Sequence, residues 1–393
     1  METTNETNMI IWAGDNIISA LGLTSEANYK AVKAGTSGIA LHNATSIAEP
    51  FQASLINREQ LDDTFNQHFH SHTNTYTTLE KAAILSAHTA ATTANIDISS
   101  PDALFILSTT KGNIHLLDTP DQTYDPRKLH LWHTAQLIAK HFNNTNEPIT
   151  ISNACISGLC AQITAIRELS DGRYTTAVVI GIDLLSRFII SGFQSLKALS
   201  PKPCQPFDDN RSGLNLGEAA ATIIYRKTTQ PPNTHITLVN GSITNDANHI
   251  SGPSRTAEGS YAALTNILQQ TNHNNIAFIN AHGTATPYND RMEAIAITRA
   301  KLNNTPVNSL KGNFGHTLGA AGILESIIST HALTDNTILP THNFTRGENE
   351  YPLNIPTKTQ HSTEPYCIKM MSGFGGCNAA LLFKKNTHNG TIH

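Results

Sequence analysis

Short apolar runs rich in β-branched residues alternate along this chain with longer stretches whose apolar residues recur at helical spacing. Residues 103–108, 176–181, 220–225 and 276–280 are each brief, lie close to turn formers, and read as strands buried on both faces. Residues 78–93 and 157–169 carry Ala, Leu and Ile with few breakers and predict helices. Strand and helix in alternation predict an α/β protein layered around parallel or mixed sheets. The segment 226–233 follows a strand and contains Pro231 and Pro232, so it is the predicted loop between an N-terminal half, 1–230, and a C-terminal half, 231–393. Residues 40–75, rich in Asn, His and Ser, predict surface loops with short helices. The polar stretch from Lys384 predicts a frayed end.

At 393 residues the chain has room for two or three domains or two large halves, taking about 150 residues per domain. Only 14% of residues are charged, against roughly 25% in an average globular protein. Asn, Thr, Ser and 19 His take up the polar surface, or a subunit interface hides part of it. A net charge of −4 supplies no global field for nucleic acid or an anionic membrane. Five Cys without a CxxC pair make neither a disulfide framework nor a zinc site, which points to reduced thiols, as in a cytoplasm. The first residues lack the basic region of a secretory signal, and no apolar run reaches the 18 residues of a membrane span. A soluble, cytoplasmic protein is expected.

Five segments set reactive residues beside glycines and apolar runs. In Ile149-Thr150-Ile151-Ser152-Asn153-Ala154-Cys155 a strand-like run stops, small residues turn, and a helical run begins at the cysteine. That setting puts the sulfur at a helix N-terminus, where free N–H groups and the macrodipole favour thiolate; a buried structural cysteine is the plainer alternative. Cys160, Cys204, Cys367 and Cys377 take that plainer reading. A buried strand runs straight into Asn280-Ala281-His282-Gly283-Thr284-Ala285-Thr286, where open α/β folds hold ligands; a histidine satisfying its own loop is the plainer reading of His282 taken singly. Lys311 and His316 lie in a Gly-rich, otherwise apolar stretch, where a charge is costly unless paired or solvated. Ser372-Gly373-Phe374-Gly375-Gly376-Cys377 reads as a loop presenting backbone N–H groups to an oxyanion, or as a hairpin turn with one buried ring. The charges of Pro206-Phe207-Asp208 through Glu218 read as fixing a loop.

Together these segments resemble the β-ketoacyl-acyl-carrier-protein synthases, condensing enzymes of the thiolase superfamily. Asn-Ala-Cys155, Asn-Ala-His282-Gly-Thr-Ala-Thr-Pro, Lys311-xxx-Gly-His316-xxx-Gly-Ala-Ala-Gly and Gly-Phe374-Gly-Gly-Cys-Asn resemble the family's four active-site motifs. Pro-Phe207-Asp with Arg211, Gly213, Gly217 and Glu218 resembles a fifth. All five occur in the family's order between about Leu104 and Phe383, while the first hundred residues match less distinctly. The chain departs from the pattern at Ser372 and Cys377, where Phe and Thr are usual. It departs again at Ser108-Thr109-Thr110-Lys111-Gly112, where a small, Gly-rich stretch usually lines the acyl channel.

The resemblance implies a thiolase-like five-layered α-β-α-β-α fold of two similar halves, and a dimer, either of identical chains or with a related synthase subunit. It implies decarboxylative Claisen condensation, with the acyl group held on Cys155 and malonyl-acyl carrier protein as the second substrate. His282 and His316 would donate to the enolate, and backbone N–H groups of Cys155 and Phe374 would form the other oxyanion hole. Lys311 would orient the site, Glu325 would anchor Lys311 or a water, and Phe374 would gate the acyl pocket. Thr284 and Thr286 would bind the pantetheine arm, with Phe207 and Thr109 lining the substrate channel. No metal or bound cofactor is implied, because phosphopantetheine arrives on the acyl carrier protein. Arg127, Lys128, Lys197 and Lys202 are candidates for the surface that meets this acidic carrier. The alternatives are a chain-length-factor-like partner subunit, which typically lacks the nucleophilic Cys, and a thiolase or starter acyltransferase. Thiolases typically need a second reactive Cys near the C-terminus, and Cys377 lies close to such a position, although the paired histidines favour decarboxylation.

Overall fold

The computed structural model describes residues 9–43, 47, 49–69, 76–118, 124–269, 271–348 and 350–387. Two five-stranded sheets dominate it. The first contains β1 (Met9–Ile18), β2 (Ala103–Ser108), β3 (Ile149–Ile151), β4 (Thr176–Asp183) and β5 (Ala219–Thr228). The second contains β6 (Thr234–Asn245), β7 (Ile276–Asn280), β8 (Val307–Asn308), β9 (Tyr366–Gly373) and β10 (Cys377–Thr387). Their spatial orders are β3-β2-β4-β5-β1 and β8-β7-β9-β10-β6, so each half follows the same order, third-second-fourth-fifth-first. In each, the first two pairings are parallel and the last two antiparallel. The chain crosses from one sheet to the other in residues 229–233. Arg226, Lys227 and Thr228, expected in that loop, extend β5 and pair with β1.

Burial explains the layering. Along β4 every residue is buried; Ala177 and Val179 face the central core, and Val178, Ile180 and Ile182 face an outer cluster. That outer cluster packs beneath α1 (Thr78–Ala94) and α2 (Leu131–His141). Between the sheets lie α3 (Ser157–Asp171) and α6 (Ala321–Thr334), whose Leu159, Ile163, Ile323 and Ile327 share one core with the inner faces of both sheets. Outside the second sheet are α4 (Glu258–Leu268) and α5 (Pro287–Arg299), which contribute Leu264, Ile267 and Ile297. The result is the five-layered, thiolase-like arrangement of two similar halves.

Two expectations are corrected. Residues 40–75 include strands Ile39–His42 and Phe51–Ser54 as well as helix Arg58–His68; the remainder, 44–46, 48 and 70–75, lies outside the described residues. Residues 384–387 are not frayed: β10 stays paired with β6 as far as Thr387↔Thr234, and 388–393 lie outside the described residues.

The central helices cross at glycines. A Cβ on Gly158 would sit 2.8 Å from the Ile323 nitrogen, and one on Gly322 would sit 2.9 Å from the Leu159 nitrogen. Beside the crossing, buried Gln162 donates to the Gly158 and Gly322 carbonyls, each at 3.1 Å, and accepts from Tyr225 at 2.8 Å. Because the obstruction at Gly158 is backbone, Gly158→Ala is expected to destabilise by about 1–3 kcal/mol through overpacking. Gly192→Ala, on an open helix face with nothing within 4 Å, is expected to be neutral or stabilising by up to about 1 kcal/mol. Urea unfolding of both variants checks the contrast; equal stabilities would refute the tight crossing.

Candidate active site

Cys155 lies at the end of the third strand of the first half, just before α3. The helix starts at Ser157 rather than at the cysteine, with Ile156 as its cap. Ala154, at φ +45°, occupies the left-handed region, which a side-chain-bearing residue adopts at a cost of about 1–3 kcal/mol. Ser157 holds the bend: its hydroxyl donates to the Ala154 carbonyl at 2.6 Å and accepts from the Asn153 N–H at 2.7 Å. His316 occupies the related place in the second half, between β8 and α6. Its backbone is stitched to the first half, donating to the Asn215 carbonyl at 2.7 Å and accepting from the Gly217 N–H at 3.0 Å. Gly217 is required there, since a Cβ would fall 2.0 Å from the Phe314 oxygen. His282 follows β7 by two residues, and Glu293 of α5 accepts the His282 and Gly283 N–H groups at 2.7 Å each.

These three side chains meet. The Cys155 sulfur and one nitrogen each of His282 and His316 lie within 4.8 Å of one another, all buried. The two rings stand nearly perpendicular, with centroids 5.0 Å apart. The Leu318 N–H points at His316 Nδ1 at 3.3 Å, which places the ring hydrogen on Nε2; that atom is buried without a hydrogen-bond partner. His282 Nδ1 is also buried and unpartnered. Cys, His and His so close together resemble a metal-ligand set, but the Leu318 donor disfavours it, because ligation through Nε2 would force a proton onto the nitrogen facing that N–H. A pair of neutral donors suits anionic oxygen better.

The electrostatics enforce neutrality. Burial first, then the nearby Lys311 and Lys369 ammoniums, hold both imidazoles well below the ordinary histidine range. Burial also pushes the Cys155 thiol up to about 12, against the opposing pull of Lys311, exposed Lys111 and the Phe374 N–H. The helix-terminus setting alone therefore does not make a resting thiolate, contrary to the simple expectation; the sulfur rests as a thiol. Lys311 pairs with Glu325, both buried, and the other oxygen of Glu325 lies 2.6 Å from the Lys369 ammonium.

The remaining expected residues divide. Phe374 caps the β9–β10 turn with its ring 40% exposed, stacked on Phe193 at 5.9 Å, so it is not a buried ring. Thr284 and Thr286 hydrogen-bond each other at 2.9 Å. Thr109 is fully buried and its hydroxyl donates to Asp183 at 2.9 Å, so in this state that hydroxyl is committed to the protein rather than to a channel. Phe207 packs behind the His282 loop: its ring would meet a Cβ on Gly283 at 2.8 Å, and Asp290 accepts its N–H at 2.7 Å. Asp208 and Glu218 fix loops as expected, Asp208 accepting from Thr345 and Arg346, and Glu218 from Ile56, Leu185 and Arg58. Cys377 donates to the Phe374 carbonyl at 3.2 Å and is not one of the close-set ligand atoms. Of the proposed basic surface, Arg127 pairs with Asp125 and Lys128 with Glu80, leaving Lys197 and Lys202 exposed.

Sequence reasoning missed Lys369, Glu293 and Asp183. Lys369 carried a signal, a lone charge inside the apolar strand Tyr366-Cys367-Ile368-Lys369-Met370-Met371. Glu293 and Asp183 had none beyond residue type. Asp183 accepts from the amides of Thr110 and Gly319, tying the departing 108–112 segment to the start of α6.

The model of the β-ketoacyl synthase N-terminal domain matches residues 17–230, and that of the C-terminal domain matches 235–345. The fold is that of the thiolase-like condensing proteins. Within that class, the chain belongs to the β-ketoacyl synthase family. It is 30% identical over 274 residues to the putative mitochondrial 3-oxoacyl-[acyl-carrier-protein] synthase of Schizosaccharomyces pombe, covering 64% of each chain. It is 31% identical over 254 residues to the 3-oxoacyl-[acyl-carrier-protein] synthase 2 of Coxiella burnetii, covering 60% of this chain and 61% of that relative. The matches thus span a little under two thirds of those relatives' length. A solved ketosynthase (ApeO), in complex with its chain length factor (ApeC), from Xenorhabdus doucetiae superposes with a TM-score of 0.84 at 24% identity, covering 98% of this chain and all of that one. A β-ketoacyl synthase from Burkholderia phymatum gives 0.83 at 23% identity, covering 96% of this chain and all of that one.

Glu325→Gln would leave two buried ammoniums without their shared carboxylate. The expected loss is about 3–5 kcal/mol at pH 7, measured by urea unfolding. Glu325 helps hold Lys369 at about 8 against burial; without that carboxylate the lysine discharges at lower pH, so the penalty shrinks as pH rises towards 8 and levels off above it. A penalty that stays constant to pH 9 would contradict the assignment.

Proposed function

We propose that the protein is a β-ketoacyl-acyl-carrier-protein synthase that catalyses decarboxylative Claisen condensation in fatty-acid or specialised polyene or polyketide synthesis. The observation that carries this reading is the convergence of Cys155 with two neutral imidazoles. The Cys155 sulfur attacks the thioester carbonyl of an acyl carrier protein. The backbone N–H groups of Phe374 and Cys155 receive the developing oxyanion, and the sulfur's proton leaves with the carrier's pantetheine thiol. His282, whose Nδ1 is held by no partner, is free to relay that proton. Malonyl carrier then takes the carrier's place. Loss of CO₂ leaves an enolate whose oxygen accepts from His316 Nε2–H and from His282. Its carbon attacks the acyl–Cys155 carbonyl, forming the C–C bond and breaking the C–S bond, and the expelled thiolate takes up a proton from solvent, by way of His282, to restore the thiol. An imidazolium would be a poorer partner for this cycle, because it cannot also accept a proton, so the enforced neutrality is functional. Thr284 and Thr286, at the mouth of the His282 loop, would meet the pantetheine arm, and Phe374 would swing to admit the acyl chain. Phosphopantetheine arrives on the carrier, and the cycle needs no resident cofactor or metal.

The partners follow from this reading: acyl carrier protein, and a second copy of this chain or a related subunit covering the exposed Leu117, Phe188 and Leu196. No described helix is long and apolar enough to cross a membrane, and a cytoplasmic setting fits the reduced cysteines. The chain-length-factor alternative is disfavoured by the retained Cys155. The thiolase alternative is disfavoured because two imidazoles, rather than the neighbouring Cys377 thiol, share the close-set point with Cys155, and Cys377 instead donates to the Phe374 carbonyl.

Incubation with acyl- and malonyl-carrier proteins is expected to yield CO₂ and a 3-ketoacyl product. Cys155→Ala should lower product formation by about 10³-fold or more. Product from Cys155→Ala at the wild-type rate would defeat the proposal. Because both imidazoles titrate well below 6.5, CO₂ release should persist as pH falls from 7 to 6 rather than decline along a histidine titration. Charge reversal of Lys197 and Lys202 should weaken carrier binding and flatten its salt dependence, measured by titration at two ionic strengths; an unchanged Kd would discard that surface.

A further inference from the structure

We propose that Lys369 is a positioning residue for the decarboxylation step, acting through the His282 peptide and the charge around the two imidazoles. The inference rests on the condensing reading above and assigns a role to a residue outside the recognised motifs.

Lys369 stands in the middle of β9, fully buried, in register with Asn280 at the end of β7. Its ammonium donates to the Ala281 carbonyl at 3.2 Å and the Met370 carbonyl at 2.9 Å, and lies 2.6 Å from Glu325. The Ala281 carbonyl belongs to the same peptide unit as the His282 N–H, which Glu293 holds at 2.7 Å. One peptide plane is thus gripped by the Lys369 ammonium at its oxygen and by the Glu293 carboxyl, which burial raises to about 7, at its nitrogen, and the imidazole hangs from it. An apolar side chain would fill this strand position at far lower desolvation cost, so the charge asks for a reason.

The groups around His282 come from every neighbouring element. Lys311 precedes α6, Glu325 lies on α6, Lys369 on β9, Glu293 and Asp290 on α5, and His316 and Cys155 lie at the two chain bends. Two lysines and Glu325 form a buried set with a surplus of positive charge, which Glu293, raised by burial to about 7, offsets only as it ionises above neutral pH. Its cations face the imidazoles, whereas the Glu325 oxygens are taken up by the lysines. Lys369 therefore adds a second positive charge that keeps His282 and His316 unprotonated, in accord with its contribution to lowering both.

The test separates the two half-reactions. Acylation of Cys155 is followed by intact mass, and CO₂ release from malonyl-carrier protein is followed across pH 5.5–9. Lys369→Met keeps the side chain's length and removes its charge. It should depress decarboxylation at least about tenfold more than acylation and move the acid limb of CO₂ release up by about one pH unit or more. Lys369→Arg should restore much of the decarboxylation, although Met is the better fit for an apolar strand. If Lys369→Met does not fold, the wild-type profile decides. Decarboxylation should then fall relative to acylation as pH rises through about 8, where Lys369 loses its proton. Superimposable pH profiles, equal losses in both half-reactions, or a wild-type ratio flat through pH 8 would each overturn the role. Absence of CO₂ release from the wild type would instead remove the condensing reading, and this role with it.

Discussion

Everything at the candidate site depends on how closely the two central helices approach. Each half of the chain builds a sheet of the same order and sends a helix inward after its third strand. The site exists because these two helices touch at Gly158 and Gly322, with Gln162 satisfying the carbonyls that the contact exposes. That contact sets the bend carrying Cys155 beside the bend carrying His316. A wider crossing would separate the sulfur from the imidazole even if each half remained folded. The backbone bonds of His316 to Asn215 and Gly217 reinforce the same docking from the other side.

Around that junction the protein buries an unusual amount of charge for a chain with so little of it. Lys311, Glu325, Lys369 and Glu293 are all nearly or fully buried. Isolated, any of them would be heavily penalised; together they offset one another and leave the imidazoles between them uncharged. Neutral imidazoles can donate to an enolate oxygen and also exchange a proton with sulfur. The high proton affinity that burial gives the Cys155 thiol fits the proposed cycle, in which the sulfur would ionise only as it attacks a thioester.

Much of the fold was legible because buried strands in a layered α/β protein are short and apolar on both faces. Residues 103–108 and 276–280 coincide with β2 and β7, and the helix predicted from Thr78 starts there. The reading failed where polar residues belong to strands. Arg226 to Thr228 and Lys384 to Thr387 carry loop-like composition, yet both ends continue sheets, because backbone pairing with β1 and β6 does not depend on side-chain polarity. Thr109 and Phe207 lie in suggestive segments, but neighbours remote in sequence decide where their side chains point. Asp183 takes the Thr109 hydroxyl, and the Phe207 ring packs behind Gly283.

The sequence by itself determined the inventory: a cysteine after a tight turn, a histidine at a strand end, a lysine and a second histidine in a Gly-rich stretch, and a glycine-rich loop around Phe374. These are local patterns, fixed by turn chemistry and hydrophobic period. Only the tertiary structure decided that Cys155, His282 and His316 share one buried point, that His316 carries its hydrogen on Nε2, and that Lys369 and Glu293 grip the peptide before the His282 imidazole. The reason is geometric. Cys155 reaches the two histidines only through the docking of the two halves, Lys369 reaches the Ala281 carbonyl from the neighbouring strand 88 residues further on, and the local contacts of Leu318 with His316 and of Glu293 with His282 depend on backbone directions that residue types do not record.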